Sequence, residues 1–272
     1  MARVLQTDGW IVMIASSAIT ATLSGSLVGF SLGLIGGGGS ILAMPLLLYL
    51  VGVSPAHTAI GTSAVAVAVN AYINLIAHAR AGNVRWRNAI VFAGVGVVGA
   101  FAGSSLGKAI DGDRLLFLFG LLMLVVGALM FKNRGNVDIL ERPNGIRTDI
   151  ILGVTALFAG AASGFFGIGG GFLVMPCLVL ATGMPTIKAI GTSLFAVGVF
   201  GTGTAINYAL SGLIDWPAAG EFILGGAVGG LLGMKLALRL SDKKGVLNKI
   251  FATLIFAVAA YVLYRSGRTV IG

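Results

Sequence analysis

Four consecutive glycines, Gly36 to Gly39, stand inside an apolar stretch, "GLIGGGGSILAMPLL", residues 33–47. A helix does not run through them freely, because each interior glycine is about 1 kcal/mol less favourable than alanine. A second stretch, "GFFGIGGGFLVMPCL", residues 164–178, repeats the arrangement, and Met44-Pro45 is matched by Met175-Pro176. The backbone is broken twice, at matching places.

The surroundings make such breaks costly. Of the 272 residues 57% are hydrophobic and only 10% charged, against roughly a quarter charged in a soluble domain. That leaves too little charge to cover a water-facing surface, and apolar runs recur along the whole chain. The pattern is that of an all-α polytopic membrane protein; a porin-like barrel would show short alternating segments instead. In lipid every bare backbone N–H or C=O costs several kcal/mol, so irregular backbone survives only packed in protein or lining a wet cavity. The net charge of +9 does not indicate nucleic acid, because the basic residues lie in short connections, where cytoplasmic loops collect Lys and Arg. The single cysteine, Cys177, excludes an intrachain disulfide framework and is expected to be a packing thiol. Trp10 to Ile35 is too long for a signal-peptide core and is expected to be the first membrane helix.

The halves repeat at a shift of 130 or 131 residues. "AIGTS" at Ala59 to Ser63 recurs at Ala189 to Ser193; Trp86 meets Trp216, Gly99 meets Gly229 and Gly103 meets Gly233. Each half reads as about five helical segments, and the second of each is a short broken or re-entrant helix. The first repeat is expected over residues 1–131, a hydrophilic linker over 132–147, and the second repeat over 148–272. The connection from Arg80 to Arg87 has a net charge of +3, and its counterpart around Asp215 has −1. The next connection is neutral in the first half and +3 in the second. The basic loop changes place, as it must if the repeats are inverted.

Glycines before a short helix leave N–H groups free, admit a ligand without a Cβ in the way, and set it on the positive end of the helix dipole. Two such ends near the midplane would make a cage for a small anion. The expected substrate-binding backbone is Gly36, Gly37, Gly38, Gly39 and Ser40, with Gly167, Gly169, Gly170 and Gly171. Side chains come from the next segment: Thr62, Ser63, Asn70 and Asn74 in the first half, and Lys188, Thr192, Ser193 and Asn207 in the second. Ser63, Asn70, Asn74 and His78 stand at offsets 0, 7, 11 and 15, one helical face. Gly99, Gly103 and Gly107, like Gly225, Gly229 and Gly233, have instead the four-residue spacing of close helix packing. No set of base, nucleophile and metal ligands emerges, so neither an enzyme nor a bound metal is expected.

These paired glycine breaks, the doubled "AIGTS" and the basic "HARAGNVRWR" loop resemble the sulfite exporter TauE/SafE family of membrane permeases. The resemblance implies a secondary transporter, with export the expected direction, of a small sulfur-containing oxyanion such as sulfite or a short organosulfonate. It marks the two glycine runs and the "GTS" triplets 61–63 and 191–193. A passive anion channel and a carboxylate permease are the alternatives. The expected partners are the anionic substrate and the lipid bilayer of a cell inner membrane, with a homodimer left open and no nucleic acid. No cofactor is expected beyond a coupling proton or sodium ion.

Overall fold

A computed structural model describes residues 2–132, 145–167, 171–240 and 246–271. All regular structure among them is helical. Helix α1, Ala2–Ile35, leads into a tight 3-10 segment, Gly36–Leu42, a short α2, Ala43–Leu46, and a wide π-helical turn, Leu47–Val51. Then come α3, Ala56–Arg80; α4, Trp86–Lys108; α5, Gly112–Lys132; α6, Ile146–Phe166; α7, Gly171–Thr182; α8, Thr186–Ala209; α9, Trp216–Leu240; and α10, Val246–Ile271. Among the described residues six stretches are long and apolar enough to cross a membrane: Ser17–Val51, α3, α4, α6, α8 and α9. Most of the expected linker, residues 133–144, lies outside the described residues, as do Ile168, Gly169 and Gly170.

The two breaks begin alike and continue differently. Helices α1 and α6 both stop at a left-handed glycine, Gly36 with φ +67° and Gly167 with φ +65°, a conformation in which a Cβ would be strained. After Gly167 the chain resumes as one helix, α7, which carries Pro176 inside it. After Gly36 it tightens instead: the glycines lie within the 3-10 segment, and regular helix starts only at Ala43. The Ser40 hydroxyl donates to Gly37 O at 2.9 Å and pins that turn. The first short helix therefore does not open on its glycine run.

Packing sorts the long helices into two trios. Gly25, Gly29 and Gly33 of α1 meet Phe222, Gly226 and Gly230 of α9 in the same order, so these helices run parallel, backbone on backbone. Helix α3 lies beside them in the same sense, Asn70 at Gly226 and Asn74 at Gly230. The second trio is built likewise: Gly99, Gly103 and Gly107 of α4 meet Leu157, Ala161 and Phe165 of α6. Helix α8 runs along α4, with Phe200 at Gly96 and Asn207 donating to Ser104 Oγ. Each trio thus takes two helices from one half of the chain and one from the other. Between lipid-compatible helices the attraction is van der Waals contact, which small residues maximise by letting backbones touch. Helix α5 packs on α10 to one side, Gly120 near Leu263 and Gly127 near Phe256. Between the trios, Tyr72 Oη lies 3.2 Å from Thr202 Oγ1; within the second, Phe92 stacks on Phe200.

Candidate transport site

The two breaks meet each other. A Cβ on Gly37 would fall on Gly171, 2.6 Å from its Cα, and one on Gly171 would collide with the Gly37 carbonyl. Each left-handed glycine rests on the other half's third helical segment: Gly36 on Ile190 and Ser193 of α8, Gly167 on Ile60 of α3. The Gly37 N–H donates to Ser193 Oγ at 3.0 Å, and Ser193 Oγ in turn donates to Ile190 O at 2.8 Å. In the matching place Ser63 Oγ reaches Ile60 O at 2.8 Å and Gly167 O at 3.1 Å. Gly36 to Leu42 and Gly171 are all buried.

The repeated pentapeptide explains how the halves lock. Its glycine admits a backbone carbonyl from the opposite half: a Cβ on Gly61 would strike Leu213 O, and one on Gly191 would strike Asn83 O. Its threonine accepts the first N–H of the next turn across the molecule. Asp215 N donates to Thr62 Oγ1 at 2.9 Å, and Arg85 N donates to Thr192 Oγ1 at 3.0 Å. Its serine holds the break. Residues 61 and 191, and 62 and 192, therefore make the same cross-half contacts with halves exchanged, while Ser63 and Ser193 both reach the other half's break but through different backbone groups, Gly167 O and Gly37 N.

The remaining expected residues divide. Gly36, Gly37, Ser40, Gly167, Gly171, Ser63 and Ser193 gather at the crossing. Gly38 and Gly39 are buried in the same turn, Gly39 against Ser31 and Leu32 of α1. Thr62 and Thr192 sit one residue away and serve the connections. Asn70 and Asn74 are buried against α9, a turn or more along α3. Asn207 belongs to another cluster, where Lys108 Nζ donates to its Oδ1 at 2.8 Å and to Ser211 Oγ at 2.9 Å. Lys188 stands apart: its Nζ donates to Gly82 O at an exposed position. Gly169 and Gly170 lie outside the described residues. Cys177 is half-buried in α7 rather than fully enclosed. Sequence reasoning missed Gly25, Gly29 and Gly33, whose four-residue spacing is the same signal that marks Gly99, Gly103 and Gly107.

This pairing of glycine breaks through a doubled "AIGTS" extends over most of the chain, and so does the family match: residues 21–262 match Sulfite exporter TauE/SafE. The chain belongs to the TauE/SafE family. It is a multi-pass membrane transporter of that family. A "Probable membrane transporter protein" of Xylella fastidiosa (strain 9a5c) is 58% identical over 255 residues, 93% of this chain and 98% of the relative. "Probable membrane transporter protein YdhB" of Bacillus subtilis is 29% identical, over 84% of this chain and 93% of its own length. "Sulfite exporter TauE/SafE family protein 2" of Arabidopsis thaliana is 33% identical over 111 residues, 40% of this chain and 24% of the plant protein. No solved structure matches.

Proposed function

We propose that this TauE/SafE protein is a secondary transporter that exports a small sulfur-containing oxyanion, sulfite or a short sulfonate, by alternating access. One observation carries the reading: the two breaks converge, and the Gly37 N–H is aimed at an oxygen, Ser193 Oγ at 3.0 Å. A charged oxyanion is a stronger acceptor than a serine hydroxyl, so Ser193 Oγ marks where a substrate oxygen would displace it. In this arrangement the backbones of Gly37 and Gly171 touch, which is the closed form of the crossing. Parting the two trios would expose the N–H groups and both serine hydroxyls to a bound anion.

Neutral donors suit a substrate that has to leave again. An arginine fork would hold an oxyanion bidentately, whereas amide N–H groups and hydroxyls hold it more loosely. The reciprocal contacts support two inverted repeats rocking against each other about the crossing. In a bacterium with two membranes, the reading puts the protein in the inner one.

The test is reconstitution into proteoliposomes with sulfite, short sulfonates and carboxylates compared under imposed proton and sodium gradients. Saturable, gradient-dependent flux of sulfite or a sulfonate is expected. Unsaturable flux would make the protein a channel, and a preference for carboxylates would move the substrate class.

A further inference from the structure

The buried face of α3 carries polar atoms that nothing among the described residues satisfies. Asn70 Nδ2 and Oδ1, Asn74 Oδ1 and His78 Nδ1 are all enclosed without a hydrogen-bond partner there, and the three residues are at most 1% exposed. They stand four residues apart on one stripe, turned towards α1 and α9. His78 Nε2 lies 2.9 Å from Gly33 O. A carbonyl only accepts, so Nε2 carries the hydrogen and Nδ1 is a bare acceptor. A buried acceptor left unpaired costs about 1–3 kcal/mol, so each one kept in a native protein calls for a reason. At the matching positions α8 has Phe200, Thr204 and Tyr208, side chains that take up no proton near neutral pH. Thr204 Oγ1 and Tyr208 Oη are likewise enclosed without a partner among the described residues, so what belongs to one trio only is the imidazole of the stripe.

We propose that His78 takes up and releases the coupled proton of the transport cycle, an inference that rests on the secondary-transport reading above. The ring is clamped to Gly33, three residues before the break at Gly36. A second proton, on Nδ1, would set a positive charge against the carbonyl end of α1, where a cation interacts favourably, close to the crossing. Proton and anion would then bind in mutual support, and neutralising one would release the other. The route to water is short, since His78 lies in the last turn of α3, two residues before the exposed Arg80, Ala81 and Gly82.

The groups facing the stripe leave His78 alone in this role. Helix α1 brings no ionisable side chain between Ser17 and its end. Helix α9 brings exposed Lys235 and Arg239 near this end, and Glu221 near its opposite end. Helix α3 itself carries Arg80 in the same turn and His57 at its other end. His57 has a similar arrangement, Nε2 at 3.1 Å from Ile110 O, but that carbonyl belongs to the connection between α4 and α5 rather than to a helix that ends at a glycine break.

Proteoliposomes holding a trapped pH dye decide the matter, with sulfite as substrate. Wild-type protein is expected to couple sulfite movement to proton flux. His78→Gln and His78→Asn are expected to keep sulfite counterflow, which needs no net proton movement, and to lose both the proton flux and the response to a pH gradient. His57→Gln is expected to keep both. Coupled proton flux surviving in the His78 variants overturns the proposal, as does wild-type sulfite flux with no proton movement. Loss of counterflow in well-assembled His78 variants also overturns it, because His78 would then serve binding. No saturable anion flux in the wild type would instead defeat the transport reading itself. A second measurement avoids assembly defects: His57→Gln leaves one histidine of the two, and its imidazole 15N signals report His78 directly. They are expected to titrate and to shift when sulfite is added. A ring that stays neutral from about pH 8 to 5, the range over which histidine ordinarily changes charge, rejects the idea.

Discussion

Gly37 and Gly171, 134 positions apart in the chain, occupy each other's Cβ space. A methyl group on either would land on the backbone of the other, which has no flexible end to swing aside. Gly37→Ala and Gly171→Ala must therefore push the two breaks apart. Overpacking of this kind costs about 1–3 kcal/mol, occasionally more. Each substitution is expected to lower the thermal midpoint of the purified protein and to reduce flux by more than that stability loss explains. Normal melting together with normal flux would show that the crossing is neither tight nor functional.

The serines at the crossing are not equivalent. Ser193 Oγ is the acceptor for a buried backbone N–H, that of Gly37, whereas Ser63 Oγ reaches two carbonyls. Removing an acceptor from a buried donor costs about 1–3 kcal/mol, while carbonyls tolerate a lost donor better. Ser193→Ala should therefore destabilise more than Ser63→Ala in a detergent melt. Both should raise the KM for the transported anion, because both remove a hydroxyl from the crossing. Equal melts would mean that the Gly37 N–H finds another acceptor.

What could be read in advance follows from what a sequence encodes locally. Long apolar runs, the doubled "AIGTS" and the four-residue glycine spacing at Gly99 to Gly107 are one-dimensional patterns, and the helices and their close packing follow from them. The partner of each glycine stripe is not local: nothing near Gly99 states that Leu157, rather than a helix of its own half, lies against it. The same limit affected the polar residues. Asn70, Asn74 and Ser63 share a helical face by spacing, yet Ser63 faces the crossing and the asparagines face α9, because α3 passes two different neighbours along its length. Lys188, near the break in sequence, reaches Gly82 O instead, a contact that only the joining of the halves creates. The 3-10 path of Gly36–Leu42 depends on Ser40 reaching back to Gly37 O, a bond that the glycine count alone does not announce.

Thr62 and Thr192 lock the halves by the same bond, accepting from Asp215 N at 2.9 Å and from Arg85 N at 3.0 Å. Valine keeps the branched shape and removes the acceptor. Thr62→Val and Thr192→Val should each cost about 0.5–1.5 kcal/mol, the net worth of an ordinary hydrogen bond, since these bonds are only partly buried. Thr62 Oγ1 also donates to Thr58 O at 2.7 Å, so Thr62→Val should lower the melting temperature slightly more than Thr192→Val. A large difference between them would argue against the exchange symmetry of the contacts.

Glycine abundance also gives the sharpest contrast within one residue type. Gly94, Gly153 and Gly220 are helical, and nothing lies within 4 Å of a Cβ built on them, so they face away from the protein. Alanine there meets no neighbour and restricts the unfolded chain, which favours the helix by roughly 0.5–1 kcal/mol. Gly82 and Gly212 are equally open, but their φ values are +70° and +68°. Alanine there loses about 1–2 kcal/mol to the left-handed conformation, with no compensating contact. Gly94→Ala, Gly153→Ala and Gly220→Ala should therefore leave melting temperature unchanged or raise it, while Gly82→Ala and Gly212→Ala should lower it. All five should retain transport, because none touches the crossing. A fall in stability at Gly153 or Gly220 would mean that those faces are covered by a further protein surface, and a second copy of this chain would then be the first candidate to seek by crosslinking.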